Sequence, residues 1–454
     1  MLKNSILEGR VVTQRTWADI RRHGNDEPTR VALSGEGWQI SYGELSARAT
    51  SQQDGLWLHG LSVVTADRLG QAVIDVLAAQ QRFRAALILP EAAAEEYRRG
   101  ALDAIRAAGG DDPLLASLRG GILTTTSGST GAPKVVVHDP AGIDRFIEWA
   151  RERLGIGSET VTLSLSPVNF DVALLDVWAV LSAGGRVHFA SSRHLTDGQA
   201  LGRIIDREGV TMVQSVPALL TLIAGTGAVH HGVNVVVSTG DFFPVPNLRQ
   251  LETAFPDAER LSVYGSTETN DTFVCDLSRA ANGELGSALP GVEYSLEGGE
   301  LVVHSPYQAL GYVNMTAAVW VKRSGRRWFR TGDGAELTDD GGVRLRGRID
   351  RVRKVRGHRV SLDDIEASLR SHPDVTDALA IDAGDVETRV EAIVRTLPGH
   401  TTTSLALRSW LGERLPTAAI PSRIWLTASP FQQTPTGKTD RRATHQSLTE
   451  KEAR

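Results

Sequence analysis

A single cysteine, Cys275, stands among 454 residues, so no disulfide can close within one copy of the chain, and a reducing cytoplasm is the expected setting. No charge of one sign dominates: the net charge is −5, which leaves no global basic field to attract nucleic acid or an anionic membrane. Long apolar runs are missing too. The most apolar stretches, such as 172–183, fall short of the roughly 20 residues a membrane span needs. The opening MLKNSILEGRVVTQRTW has no apolar core of the secretory kind, so no signal peptide is expected. Internal repeats and long low-complexity tracts are also absent, which argues against a solenoid or a disordered tail.

What is present suits an ordinary globular protein of two or three domains, with 41% hydrophobic residues. Residues 1–120 read as mostly helical, because stretches such as 89–108 carry many helix formers and little Gly or Pro. Beyond Gly121 the texture changes. Short β-branched runs (VTLSLS, VHFA, VTMVQSVP, NVVVSTG, RLSVYG) alternate with amphipathic stretches (IDRFIEWARERL, ALGRIIDREG). That alternation predicts stacked βα units, hence an α/β fold. From about 285 the segments shorten, with turn signals about every 8–12 residues, and predict a β-rich subdomain. Residues 338–359 are dense in Gly and Arg and read as a hinge. A final unit carries its own helix (LDDIEASLRSH) and strand (TRVEAIVRTL). The expected division is a core over 1–347 and a small α+β domain over 348–454.

The stretch TTTSGSTGAPK (124–134) raises a chemical question. Backbone N–H groups in a Gly-rich turn can wrap phosphate oxygens, while hydroxyls and a lysine add charge-assisted contacts. A Walker A loop would need Gly directly before Lys, but Ala132 and Pro133 separate Gly131 from Lys134. A polar surface turn remains the plain alternative for this stretch taken alone.

Six further motifs accompany it in order: ISYGEL (40–45), NFD (169–171), YGSTE (264–268), FRTGD (329–333), GRID…KVRG (347–357) and TPTGKTDRR (434–442). Together they resemble the adenylate-forming superfamily of acyl-CoA synthetases, luciferases and nonribosomal-peptide-synthetase adenylation domains. The likeness runs from residue 40 to 442 and is greatest to stand-alone adenylation domains. In isolation Glu268 reads as a surface carboxylate, Asp333 as a turn residue and Lys438 as a solvated lysine, since charged residues are mostly exposed. The ordered set outweighs those separate readings.

The resemblance implies a ligase that joins a carboxylic acid to ATP, with Mg²⁺, and then passes the acyl group to a thiol or amine. Carried over residue by residue, Thr126, Ser127, Gly128, Ser129, Thr130, Gly131 and Lys134 would embrace the departing phosphates. Thr267 would touch phosphate and Glu268 would hold Mg²⁺. Gly240, Tyr264, Gly265 and Ser266 would flank adenine and the phosphates, Asp333 would take the ribose hydroxyls, and Arg348 would lie beside the nucleotide. Lys438 would bridge the substrate carboxylate and the α-phosphate. The small domain would swing about Asp350, letting a pantetheine arm pass Gly357. Val135 stands after Lys134 where relatives often have Gly, which would stiffen the loop.

SPVNFDVALLDVW (166–178) has no His of the kind acyl-CoA synthetases carry there, and instead resembles amino-acid-activating domains. Asp171 would pair with the substrate ammonium; the alternative is a helix N-cap. The remaining pocket positions implied are Val172, Leu175, Ser215, Val237, Thr239, Val263, Asp271 and Thr272. Most are small or apolar, as for proline, alanine, valine or threonine. Asp271 either points inward to bind a second polar group or lies outward as a loop carboxylate. The stretch 55–120 is compressed relative to the family, so a packing layer of the first subdomain is expected to be missing or rebuilt. No phosphopantetheine-type serine follows 442, so a separate carrier protein is the expected acceptor, with 344–359 as a candidate docking surface. That segment lacks interleaved aromatics, which argues against a nucleic-acid patch. Two other readings remain: a ligase for an aryl or acyl acid using CoA or an amine, and a catalytically silent nucleotide-binding regulator.

Overall fold

The β-branched runs between 161 and 266 form the parallel centre of a nine-stranded sheet. Its order is Ser287–Ala288, Asn270–Asp276, Glu259–Ser266, Val235–Thr239, Met212–Ser215, Val161–Ser164, Arg186–Phe189, Val31–Gly35, Trp38–Ser41. Strands from Glu259–Ser266 to Val31–Gly35 pair in parallel. Helices cover both faces, so these strands read as near-continuous apolar runs; all five residues of Val235–Thr239 are buried. The computed structural model describes residues 15–52, 56–66, 70–91, 95–109, 112, 114–115, 118, 120–127, 133–169, 172–313, 319–355, 358–383, 389–397, 402–433 and 439–452.

A second sheet of six strands runs Gly311–Tyr312, Pro133–Val137, Ile122–Ser127, Ala86–Pro90, Leu61–Ala66, Trp57–Leu58. Between the two sheets lie Gln71–Gln81, Pro140–Leu154 and the helical stretch 173–182. They share one core with both sheets, including Ile88, Phe146, Leu175, Trp178, Val237 and Val263. The helix Pro140–Leu154 is well delimited by Asp139 at its N-cap, Pro140 in its first turn and Gly155 at φ 63° beyond its end. Trp178 is fully buried and meets Trp17 edge-on at 4.8 Å, tying the first described helix to this layer. The outer face of the nine-stranded sheet packs on Gly198–Glu208, Pro217–Ala224 and Leu248–Ala254. The outer face of the six-stranded sheet packs on Glu95–Ala108.

Two expectations for the early chain change here. Residues 1–120 were expected to be mostly helical, but strands at 31–35, 38–41, 57–58, 61–66 and 86–90 interleave with the helices. The run ALILP is buried at every position, so it carries no alternation that would separate strand from helix. Despite its compression, the region still supplies a sheet with a packing layer on each face.

The segment from 293 onward forms the expected β-rich portion: Glu293–Glu297, Glu300–His304, Arg326–Leu337, Trp320–Arg323 and Val343–Arg348 in one sheet. The C-terminal stretch has a core of its own, built by Val375–Asp382, Val390–Thr396 and Arg423–Thr427 with helices Leu362–Arg370 and Ser404–Gly412. Among the described residues no helix is long and apolar enough to cross a membrane.

Candidate active site

The parallel strands of the nine-stranded sheet end, at their carboxyl termini, at Ser164, Ser215, Thr239 and Ser266, the edge where ligands bind in open α/β sheets. Next to it stands the hairpin Ile122–Ser127/Pro133–Val137, with Thr126 opposite Lys134 and Ser127 opposite Pro133. Gly128, Ser129, Thr130 and Gly131 lie outside the described residues. The two strands therefore hold both ends of the Ser/Thr/Gly loop in register.

Lys134 extends its ammonium over the ring of Tyr312, 5.3 Å from the centroid. The Tyr312 hydroxyl donates to Glu268 Oε1 at 2.6 Å. Burial, and then the neighbouring Glu268 carboxylate, push the Tyr312 hydroxyl pKa well up, so Tyr312 stays a donor. Glu268 Oε2 takes no hydrogen bond from the described residues. The Glu268 backbone carbonyl also accepts from Ala309 N–H at 2.8 Å, and Arg327 donates to the carbonyls of Ala309 and Leu310. Lys134, Tyr312 and Glu268 thus join the phosphate-type hairpin to the YGSTE turn. Sequence reading missed Tyr312; a lone Tyr closing the stretch YQALGY gave no signal beyond its turn context.

The YGSTE turn is sharply built. A bulge falls between Tyr264 and Gly265. A Cβ on Gly265 would come within 2.3 Å of the Asn270 carbonyl, so only glycine fits. Asn270 sits at φ 57° and its side chain accepts its neighbour's N–H, Asp271 N, at 2.8 Å. The Ser266 and Thr269 hydroxyls lie 3.1 Å apart. Thr267 and Glu268 project from the tip of this pinned turn, both half-buried.

Tyr264 donates its hydroxyl to Asp333 Oδ2, and Arg348 Nη1 donates to Asp333 Oδ1 at 3.3 Å. Burial pushes the Asp333 carboxyl above its ordinary pKa, against the opposing pull of the Tyr264 hydroxyl and Arg348. A carboxylate offers about four acceptor sites, so two remain after these bonds. Arg348 reaches the other way to Asp350, with Nε–Oδ1 at 3.1 Å and Nη2–Oδ2 at 3.3 Å, and donates to the Thr331 carbonyl at 2.7 Å. Gly332, at φ 73°, gives the guanidinium room: a Cβ there would lie 2.8 Å from Arg348 Nη2. One arginine therefore spans Asp333 and Asp350, the residues expected at the ribose and the hinge.

In the C-terminal stretch, Gly357 and Lys438 lie outside the described residues. The ends of the Lys438 segment are paired, Gln433 bridging Thr439 and Asp440 N–H donating to the Gln432 carbonyl at 2.7 Å. Buried Glu366 gathers three arginines, Arg351, Arg370 and Arg441, the last three residues beyond Lys438. Burial alone would raise the Glu366 carboxyl, but Arg370, Arg441 and Arg351 hold it below the usual carboxylate range. No motif had marked Glu366.

Strand register sorts the positions expected around the acid. Val237 and Val263 are buried in the core between the two sheets, together with Leu175. Thr239, two residues on from Val237, shares its face. Thr272, fully buried, donates its hydroxyl to the Tyr264 carbonyl at 3.1 Å. Leu175 lies on a π-helical turn, Leu174–Ala179, a geometry frequent at functional sites. Val172, just before it, and Asp271 are half-buried. Gly240 follows Thr239 at φ 87°. Asp171 lies outside the described residues.

Ser215 is the correction. Val213 packs in the core on the far side of the sheet, so Ser215, two residues on, faces away from Val237. The residue on the Val237 face is Gln214, paired directly across from Val237. Alternation along MVQS could have shown this, had the strand's start been known. Gln214 is 1% exposed and Asn169 2%, and neither amide has a hydrogen-bond partner among the described residues. Such a buried, unpaired amide costs roughly 1–3 kcal/mol. A separate cavity of about 270 Å³ lies between Arg15–Asp26 and Pro140–Leu154, where Arg15 pairs with Glu148, Arg151 pairs with Asp19 and Asp144 accepts from the Arg15 backbone N–H; none of the expected site residues lines it.

A family model described as AMP-binding enzyme matches residues 112–313. The L-proline--[L-prolyl-carrier protein] ligase of Streptomyces coelicolor is 31% identical over 360 residues, covering 72% of this chain and 67% of that protein. Phenyloxazoline synthase MbtB of a Mycobacterium species is 33% identical over 349 residues, but the chain spans only 30% of its length. The structure of Klebsiella oxytoca NpsA in complex with 3-hydroxyanthranilyl-AMSN shares the fold, with a TM-score of 0.78 at 24% identity over 95% of this chain and 99% of that one.

Proposed function

The chain belongs to the AMP-binding enzyme family, and on that premise we propose that it activates an amino acid with ATP and loads it on a separate carrier protein in the cytoplasm. In the first step a carboxylate oxygen of the acid attacks the α-phosphorus of ATP. The bond from that phosphorus to the oxygen bridging it to the β-phosphorus breaks, and pyrophosphate leaves with the electron pair. In the second step the phosphopantetheine thiol of the carrier attacks the acyl carbonyl. AMP leaves, and the thiol proton passes to solvent.

The observation that carries this reading is the linked polar set: Lys134, Tyr312 and Glu268 on one side, Tyr264, Asp333, Arg348 and Asp350 on the other. Thr126–Lys134 and Thr267 hold the departing phosphates. Asp333 uses its two remaining acceptor sites for the ribose hydroxyls, and Tyr264 with the backbone at Gly240 flanks adenine. Glu268 fits Mg²⁺: Tyr312 steadies one carboxylate oxygen and the other takes no bond from the described residues. One carboxylate beside phosphate oxygens suits this cation, which supplies charge neutralisation of the phosphates when bound. Lys438 offsets charge that develops between the acid and the α-phosphate. Asp171 pairs with the substrate ammonium. The likeness to a ligase named for prolyl-carrier protein supports both the amino acid and the carrier.

The test is acid-dependent ATP–pyrophosphate exchange, run over amino acids and over neutral aryl and short acyl acids. Exchange with an amino acid is expected. Exchange with neutral acids alone would remove Asp171's role and leave the activation chemistry; no exchange with any acid would remove the proposal.

A further inference from the structure

Four arginines stand on the paired strands Trp320–Arg323 and Arg326–Leu337, and one of them differs from the rest. Arg323 pairs with Glu297, Arg326 with Glu293 and Arg330 with Glu300. Arg327 has no carboxylate within ion-pair reach among the described residues; Asp139 attracts it only from a distance. Its guanidinium lies 4.4 Å from the centroid of the Trp320 ring and donates to two backbone carbonyls, Nη2 to Ala309 and Nη1 to Leu310. A cation drawn from water without a paired anion is costly, and bonds to carbonyls and a ring face offset part of that cost. What those two carbonyls secure is therefore the question. They belong to a short linker between the two halves of the metal and phosphate side. Ala309 N–H donates to the Glu268 carbonyl at 2.8 Å, and Leu310 N–H to the Val137 carbonyl at 2.7 Å. Gly311–Tyr312 then forms an edge strand of two residues, paired with Val136 and Val137 of the hairpin that carries Lys134. From it Tyr312 delivers its hydroxyl to Glu268 Oε1. The Arg327 carbonyl accepts in turn from Gln308 Nε2 at 3.1 Å, so the linker is tied to this strand through both the backbone and the side chain of Arg327. Asp333 lies further along the same strand.

We propose that Arg327 is a positioning residue for Glu268: by clamping the carbonyls of Ala309 and Leu310 it sets where Tyr312 stands, and so fixes the carboxylate whose second oxygen faces Mg²⁺. The proposal rests on the reading of Glu268 as the Mg²⁺ carboxylate and deepens it. An edge strand of two residues has few ladder bonds to hold it, so the linker needs a second attachment. A misplacement of roughly 1 Å is enough to cost a preorganised site much of its effect. Arginine suits the task better than lysine, because its planar fork meets two acceptors at once while its face stacks on a ring.

The test is ATP binding by calorimetry, with no acid present, in the presence and absence of Mg²⁺. Wild type is expected to bind ATP more tightly with Mg²⁺. Arg327→Met keeps an unbranched stem and removes the donors. It is expected to weaken binding with Mg²⁺ about tenfold, while Mg²⁺-free binding changes by less than about twofold. In that background Tyr312→Phe should cost little more, because both changes act through the same carboxylate oxygen. Arg327→Lys keeps the charge but not the fork; it is expected to fall between wild type and Arg327→Met, and it carries the test if the methionine variant does not fold. Equal weakening with and without Mg²⁺ would overturn the proposal. So would a lowered thermal midpoint with the wild-type Mg²⁺ response, which would make Arg327 structural only, or independent losses from the Arg327 and Tyr312 changes. Wild-type ATP binding indifferent to Mg²⁺ would overturn the reading of Glu268 together with this one, and no ATP binding at all would overturn the nucleotide reading with both.

Discussion

The region proposed to face the nucleotide and the region proposed to face the acid lie at the same edge of the nine-stranded sheet, yet their polar side chains are handled in opposite ways. On the nucleotide side, Glu268 is held by Tyr312, Asp333 by Tyr264 and Arg348, and Arg348 also by Asp350. On the acid side, Gln214 and Asn169 are more deeply buried and have no partner among the described residues. ATP is one fixed molecule, so its contacts can be held in place before it arrives, and preorganised dipoles need no rearrangement during reaction. The acid differs between members of such a family.

The comparison can be broken at several points. The largest effect is expected at Lys438→Ala, which should lower exchange by about 10²–10³-fold for every acid alike, because it removes charge stabilisation common to all of them. A loss confined to one acid would put Lys438 on the acid side. Asp171→Ala should cost an amino acid on the order of a hundredfold while sparing a neutral acid of the same shape, since only the former presents an ammonium to an unpaired site. Equal losses for both would make Asp171 a helix cap.

Tyr312→Phe removes one hydrogen bond to a carboxylate and should lower kcat/KM for ATP about tenfold. The Mg²⁺ concentration for half-maximal rate should rise, with the ranking of acids unchanged. A changed ranking would erase the division between the two regions. The smallest effect is a shift in pH dependence. Burial raises the Asp333 pKa, so binding that needs its carboxylate should weaken with falling pH above the ordinary aspartate range. Arg348 opposes the rise, so Arg348→Gln should move the acid limb of ATP binding to higher pH. Nucleotide titrations across pH would show an unmoved limb if Asp333 does not contact the ribose.

The motifs proposed to meet the nucleotide were recognisable in the sequence as short local patterns. The TTTSGSTGAPK, YGSTE, FRTGD and GRID stretches are short and contiguous, and two of their glycines answer to local geometry, Gly265 at its bulge and Gly332 beneath Arg348. Partners from distant segments were not legible. Tyr312 lies 44 residues from Glu268, and Glu366 lies 75 residues from Arg441. Nothing in either neighbourhood marks the contact. The early strands escaped for a related reason: ALILP is buried at every position and shows no period.

By itself, then, the sequence determined the chemistry on offer. It supplied an ordered set of hydroxyls, carboxylates and lysines, the α/β alternation that carries them, and a family pattern from 40 to 442. Only the tertiary structure decided which faces these residues occupy and which have partners. A one-residue change in strand register exchanges the two faces of a sheet. That is why Ser215 and Gln214, adjacent in the chain, lie on opposite sides, and why the amide left without a partner became visible only once the strand was paired with its neighbour at Val237.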